Sequence, residues 1–233
     1  MKRVALLLVS LSLAACGGTA QTRRTFPVVV STVPGPLVTD SGWAVTLSSA
    51  QLSLASVRFF SGEALVRRGP LPWRFDPLGW LVPSAWAHPG HYVPGAAMGE
   101  LLQPLTVDLL AAETPWGTAD GVTGTYGSLQ LSLGAEGLRL KGTATKGADS
   151  VVFDTGSFAP PAAIEGVPFS HVMDTSAGRV RVAVDLAAIL SRVDFALVGS
   201  GADPLDPASP AFNGFARGVE DSSVYHATWE AAE

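Results

Sequence analysis

The sequence predicts an all-β domain, most simply an antiparallel, Greek-key-like β-sandwich with one short helix and one long Trp/Pro-rich loop. Three observations carry this. Apolar residues recur with a period of two in many short runs, as half-buried strands require. The runs are separated by turn-forming residues, and the chain holds 25 Gly and 17 Pro, a composition that favours strands and turns over long helices. No regular strand-helix alternation of the kind that builds a parallel sheet is present. A barrel is the alternative closure of the same strands.

The first strand is expected at Pro27–Val30, with the globular part starting at Phe26. Trp43, Val45 and Leu47 alternate, then the phase slips and Ala50, Leu52 and Leu54 continue it. The slip places a bulge or tight turn near Ser48-Ser49. Leu129, Leu131 and Leu133, then Leu138 and Leu140, flank Gly134-Ala135-Glu136-Gly137 and read as a β-hairpin. Ser150–Phe153, Val167–Met173 and Val180–Val184 follow as strands, with Arg179 and Arg181 on the face opposite Val180 and Val182. Asp185 can cap the short helix, because Leu186, Ile189, Leu190 and Val193 fall on one helical face behind it. The remaining signals are strand-like and end at Ser222–Trp229.

The first residues say where this domain goes. Met1-Lys2-Arg3 is cationic, and Val4–Ala15 is apolar apart from Ser10 and Ser12. That is a signal peptide; about a dozen apolar residues cannot span a bilayer core, which needs about 20. Leu13-Ala14-Ala15-Cys16 resembles the bacterial lipobox, and Cys16 is the chain's one cysteine. The resemblance implies cleavage before Cys16, acylation of its thiol and new amino terminus, and a firm membrane anchor, since two or more acyl chains hold where one binds marginally. Gly17 in place of Asp resembles the pattern sent on to the outer membrane. The expected organisation is a signal peptide over 1–15, a flexible tether over 16–25 and one domain over 26–233.

Cleavage removes 15 of 233 residues and leaves 218, enough for a sizeable core. It also removes Lys2 and Arg3, moving the net charge from −5 to about −7. Clustered Lys and Arg of the kind that bind phosphate backbones are absent, which argues against a nucleic-acid partner. With Cys16 committed to lipid, no disulfide is expected, and stability has to come from the core.

Residues 69–99 break the strand pattern with six prolines, Trp73, Trp80 and Trp86, and two of the four histidines. A long irregular segment this aromatic is expected to pack back or meet a partner. Within it, His88-Pro89-Gly90-His91 suits a type II turn, which brings its first and fourth Cα atoms within about 7 Å. Both imidazoles could then share a metal. His171 and His226, each on an expected strand, are candidates to complete the set, His171 pointing inward with Val167, Phe169 and Met173. An all-histidine site takes copper or zinc. The plain alternative is a Pro-Gly turn between two exposed histidines, with His171 a core residue.

Trp43–Leu47 leading to Ala50–Phe60, and Arg179–Asp185 leading into Leu186–Leu190, resemble the MbnP-like periplasmic copper-binding proteins. The resemblance implies a β-sandwich that binds copper through histidine, with Trp86 a candidate for oxidation by a diheme partner enzyme.

Catalytic signals are sparse. Val151–Ser157 resembles the Asp-Thr-Gly loop of an aspartic protease, but such enzymes need two facing aspartates sharing a proton. Asp174-Thr175-Ser176 lacks the glycine and lies too close in sequence to form a second lobe. No Gly-x-Ser-x-Gly, P-loop or dinucleotide fingerprint occurs. Asp203-Pro204-Leu205-Asp206-Pro207 could touch calcium but reads more simply as a solvated loop. The expectation is a non-catalytic envelope lipoprotein that binds copper or zinc. The rival is an interaction module without metal, in which the 69–99 segment, with Trp80 and Trp86, docks an envelope protein or a ligand.

Overall fold

The computed structural model describes residues 21–64, 92–199 and 203–232. Ten strands are formed: β1 Arg23–Thr32, β2 Ala44–Phe60, β3 Ala97–Leu101, β4 Leu105–Asp108, β5 Thr114–Val122, β6 Gly124–Lys146, β7 Asp149–Asp154, β8 Ile164–Met173, β9 Gly178–Val184 and β10 Tyr225–Ala231. Among the described residues two α-helices, α1 Leu186–Leu190 and α2 Pro210–Glu220, accompany them. The strands run in the order β10-β9-β1-β5-β3-β2-β6-β7, with β4 also on β2 and β8 also on β6. This is an all-β, sandwich-like fold built from an open sheet.

The sheet is mixed, where a wholly antiparallel one was expected: β1 pairs with β9 in parallel, Val28 opposite Val180 through Thr32 opposite Val184. About 150 residues separate those strands, so no local turn dictates their relative direction.

β1 begins earlier than the sequence pattern implies. Arg23, Arg24 and Thr25 pair with Val122, Gly121 and Asp120 of β5, so the last residues of the expected 16–25 tether belong to the sheet. They were missed because they are polar, and backbone pairing does not require an apolar side chain.

The phase slip near Ser48 is a bulge: Leu47 pairs with Gly142 and Ser49 with Lys141. The expected hairpin around Gly134–Gly137 is not one. Leu133 pairs with Leu54 and Leu138 with Leu52, so both halves of β6 run along the same partner in one direction. Residues 134–137 bulge over Ser53, where a Cβ on Gly134 would stand 2.2 Å from the Ser53 hydroxyl oxygen. A long bulge and a tight turn present the same glycine signal.

The expected helix forms, capped by the Asp185 carboxylate accepting from the Ala188 N–H at 2.9 Å. α2 is a second helix where strand was expected. Ser209 caps it and Pro210 opens it, while Ala211, Phe215 and Val219 bury one side at four-residue spacing. Gly214 and Gly218 let α2 approach the residues of and just after α1, since a Cβ on them would meet the carbonyl oxygens of Arg192 and Ile189 at 2.1 and 2.7 Å.

Phe26, Phe59, Tyr126 and Phe169 form an aromatic cluster joining β1, β2, β6 and β8 edge to face, with centroids 5.3–6.3 Å apart. Such contacts add about 0.5–1.5 kcal/mol per pair beyond the apolar area buried.

Candidate functional site

β2 and β3 are antiparallel neighbours, so the chain leaves the sheet after Phe60 and returns at Ala97 beside the point of departure. The described residues on either side of the 65–91 stretch are fastened together. The Ser61 N–H donates to the Ala96 carbonyl at 2.9 Å, the Gly62 N–H to the Pro94 carbonyl at 2.8 Å, and the Ala96 N–H to the Ser61 hydroxyl at 3.0 Å. Gly95 adopts φ +72°, and a Cβ there would press on Ser61 and Gly62; glycine meets both requirements.

Tyr92 adds a side-chain lock. Its hydroxyl lies 2.6 Å from the buried Ser128 hydroxyl, which donates to the Gly62 carbonyl at 2.5 Å. Ser128 has one proton to give, so Tyr92 donates to Ser128. Burial pushes the Tyr92 phenol above its ordinary range. The C-terminal part of the expected 69–99 loop is thus ordered: Tyr92 is locked and Ala97–Gly99 lie in β3.

A shallow groove of about 800 Å³ crosses the sheet at this end. Gly99 and Gly121 face one another across β3 and β5, where a Cβ on Gly121 would press on Tyr126 and Phe26 of the core and one on Gly99 on the backbone of β5. Arg23, Arg24 and Arg58 line the groove together with Glu100 and Asp120. Arg58 pairs with Glu100 at 3.4 Å. These residues were not singled out in the sequence, because lone charges on short strands carry no signal until the strand order is known.

Of the predicted site residues, Cys16, Trp80, Trp86, His88 and His91 lie outside the described residues. His171 and His226 are not brought together. His171 is half-buried and stacks on Trp229 of β10, rings 4.8 Å apart and 16° from parallel. Burial first, and the nearby Arg24 charge, lower its pKa, with Asp174 opposing. Trp229 also carries the Arg24 guanidinium 5.3 Å from its ring centroid, and Arg24 donates to the carbonyls of Asp174 and Ser176. His226 is three residues from Trp229 on the same strand, so it faces the other way. It is about half exposed, 4.0 Å from the Asp185 carboxylate. Among the described residues, no three of His, Cys, Asp and Glu converge to hold a metal.

Asp154, of the Asp-Thr-Gly loop, is buried and ion-paired. Its carboxylate receives Arg139 at 3.0 and 2.5 Å, Lys141 at 3.0 Å and the Gly156 N–H at 2.9 Å. Arg139, with Gly156 and Lys141, holds it well below the usual carboxylate range despite burial. The carboxylate is thus engaged by two cations and a backbone N–H at the end of β7. In the 203–207 loop, the Asp206 carboxylate accepts from the Ala208 N–H at 2.9 Å, turning the chain toward α2.

A further cluster lies on the outer face of β9 and β10. Arg179 and Arg181 each contact both Glu113 and Glu230, at 2.5–2.7 Å. Two cations and two carboxylates satisfy one another there, tying the start of β5 to β9 and β10. No helix among the described residues is long and apolar enough to cross a membrane.

No protein-family model, no curated protein and no solved structure matches the chain.

Proposed function

We propose that this protein is an envelope lipoprotein, anchored through Cys16 and directed to the outer membrane, that works by binding rather than by catalysis. Its docking element is the Trp- and Pro-rich 69–99 segment, with Trp80 and Trp86 as the contact aromatics. The observation that supports this is the fastened base at Ser61, Gly62, Tyr92, Pro94 and Ala96. A binding segment carried on ends fixed to a rigid sheet loses less freedom on docking than one on slack ends. Aromatic side chains are what such contacts are commonly built from.

The test is photo-cross-linking in intact cells of origin, with the cross-linking residue at position 86 or at exposed Asn213 of α2. A discrete adduct from 86 and none from 213 is expected; equal labelling from both would overturn the reading.

A copper or zinc site is the second reading. It is favoured by the His88-Pro89-Gly90-His91 spacing and by the Tyr92 lock directly after His91. Because His171 and His226 face opposite ways, at most one of them can join His88 and His91. Elemental analysis and titration with each metal, in the native chain and in His88→Ala/His91→Ala, test it. About one metal per chain, lost in the variant, would establish the site.

A further inference from the structure

We infer that the end of the sandwich where β1 begins is a bilayer-facing surface, on which Arg23 and Arg58 take the phosphates of anionic lipid headgroups. This rests on the reading of Cys16 as acylated and goes beyond it by naming the surface and its ligand.

The anchor's reach favours this end. The backbone is fixed from Thr22, whose N–H donates to the Thr123 hydroxyl oxygen at 3.0 Å and whose carbonyl accepts from the Thr123 N–H at 2.9 Å. Six residue steps separate Thr22 from Cys16, so this end lies within about 20 Å of the anchored Cα even at full stretch. The other end, where Thr32 meets Val184 and α1 follows, stands about 30 Å further along β1.

Charge favours the same end. The groove at this end holds three arginines against two carboxylates, in a mature chain of net charge about −7. Arg24 is turned onto Trp229 and two carbonyls, and Arg58 shares Glu100 across 3.4 Å. Arg23 is exposed and has no partner among the described residues. Cations within a Debye length of an anionic leaflet, about 8–10 Å, strengthen binding about five-fold each.

Exposed apolar side chains also gather here. Val172, 67% exposed, stands opposite Thr125 at the same end, and Val93, 71% exposed, lies beside Gly62 just past β2. They are the most exposed large apolar side chains among the described residues.

Acylation consumes the one native cysteine, so an introduced cysteine can be labelled uniquely. The full lipidated chain, carrying a fluorophore at Thr123→Cys or at Asn213→Cys, is reconstituted in vesicles with nitroxide-bearing headgroups. The vesicles are either phosphatidylcholine alone or contain 30% phosphatidylglycerol. In the anionic vesicles the label at 123 should be quenched about five-fold or more over that at 213. Arg23→Glu with Arg58→Glu, or about 0.5 M salt, should remove most of the difference, while Lys146→Glu should leave it. Equal quenching at the two positions, or a difference unaffected by lipid charge, salt and the double substitution, would overturn the inference. The intact mass is read first. An unacylated Cys16 would refute the lipoprotein reading and the inference with it, whereas an acylated chain with equal quenching would refute the inference alone.

Discussion

The Asp-Thr-Gly signal marks a turn whose Asp154 carboxylate anchors β7 to Arg139 and Lys141 of β6 and to the Gly156 N–H. Removing one partner of a buried pair costs about 3–5 kcal/mol; because both cations are about 40% exposed, Asp154→Ala should cost about 2–3 kcal/mol, read from urea unfolding. The depressed folded-state pKa gives the pH dependence its sign. The contribution is fully present above the unfolded carboxylate pKa of about 3.9 and is lost as pH falls below it. In the variant, the acid side of the stability profile should therefore be flatter. His171 also has a lowered pKa, but as a base its neutral form is the one favoured by folding. Its contribution is present above the unfolded pKa of about 6.5 and declines as pH falls below that value. An NMR titration should place the His171 midpoint below 6.5. His171→Ala should cost about 0.5–1.5 kcal/mol through the lost Trp229 stack. The inward placement of His171 was legible from its alternation with Phe169 and Met173. Its partner Trp229 was not, because the contact joins strands almost 60 residues apart.

Elements were legible where a periodic pattern met a terminator of unambiguous geometry. Asp185 before an apolar helical face gave the α1 cap, and the Leu47–Ala50 phase slip gave the bulge in β2. Gly134–Gly137 was ambiguous because only strand pairing separates a turn from a long bulge. α2 carried its own signals in Ser209-Pro210 and the Ala211, Phe215, Val219 spacing; they were overlooked beside a strand-like background. Gly214 records how closely α2 packs, and Gly214→Ala should destabilise the fold by about 1–3 kcal/mol in chemical denaturation, since its Cβ would meet the Arg192 carbonyl oxygen at 2.1 Å. Tyr92→Phe removes one hydrogen bond at the base of the 65–91 stretch while Ser128 keeps its bond to Gly62. It should cost about 0.5–1.5 kcal/mol and raise amide exchange at Gly62 and Ala96 more than in the β6 core.

At the scale of the whole molecule, composition and turn density sufficed for the all-β class, while the strand order did not follow from them. β1 lies between β5 and β9, far from both in sequence, and no local rule selects those neighbours. That order brings the start of β1, the groove at Gly99 and Gly121, and the fastened base at Tyr92 to one end of the fold. The start of β1 and the described residues on either side of the 65–91 stretch thus share an end, which motif reading alone could not reveal. If this segment binds through its tryptophans, the cross-linking yield from position 73 in intact cells depends on them. Trp80→Ala/Trp86→Ala is compared there with His88→Ala/His91→Ala at equal protein abundance. A loss of ten-fold or more in the tryptophan variant, with the histidine variant close to the parent, is the predicted result; the reverse order would contradict the account and make the metal the purpose of the segment.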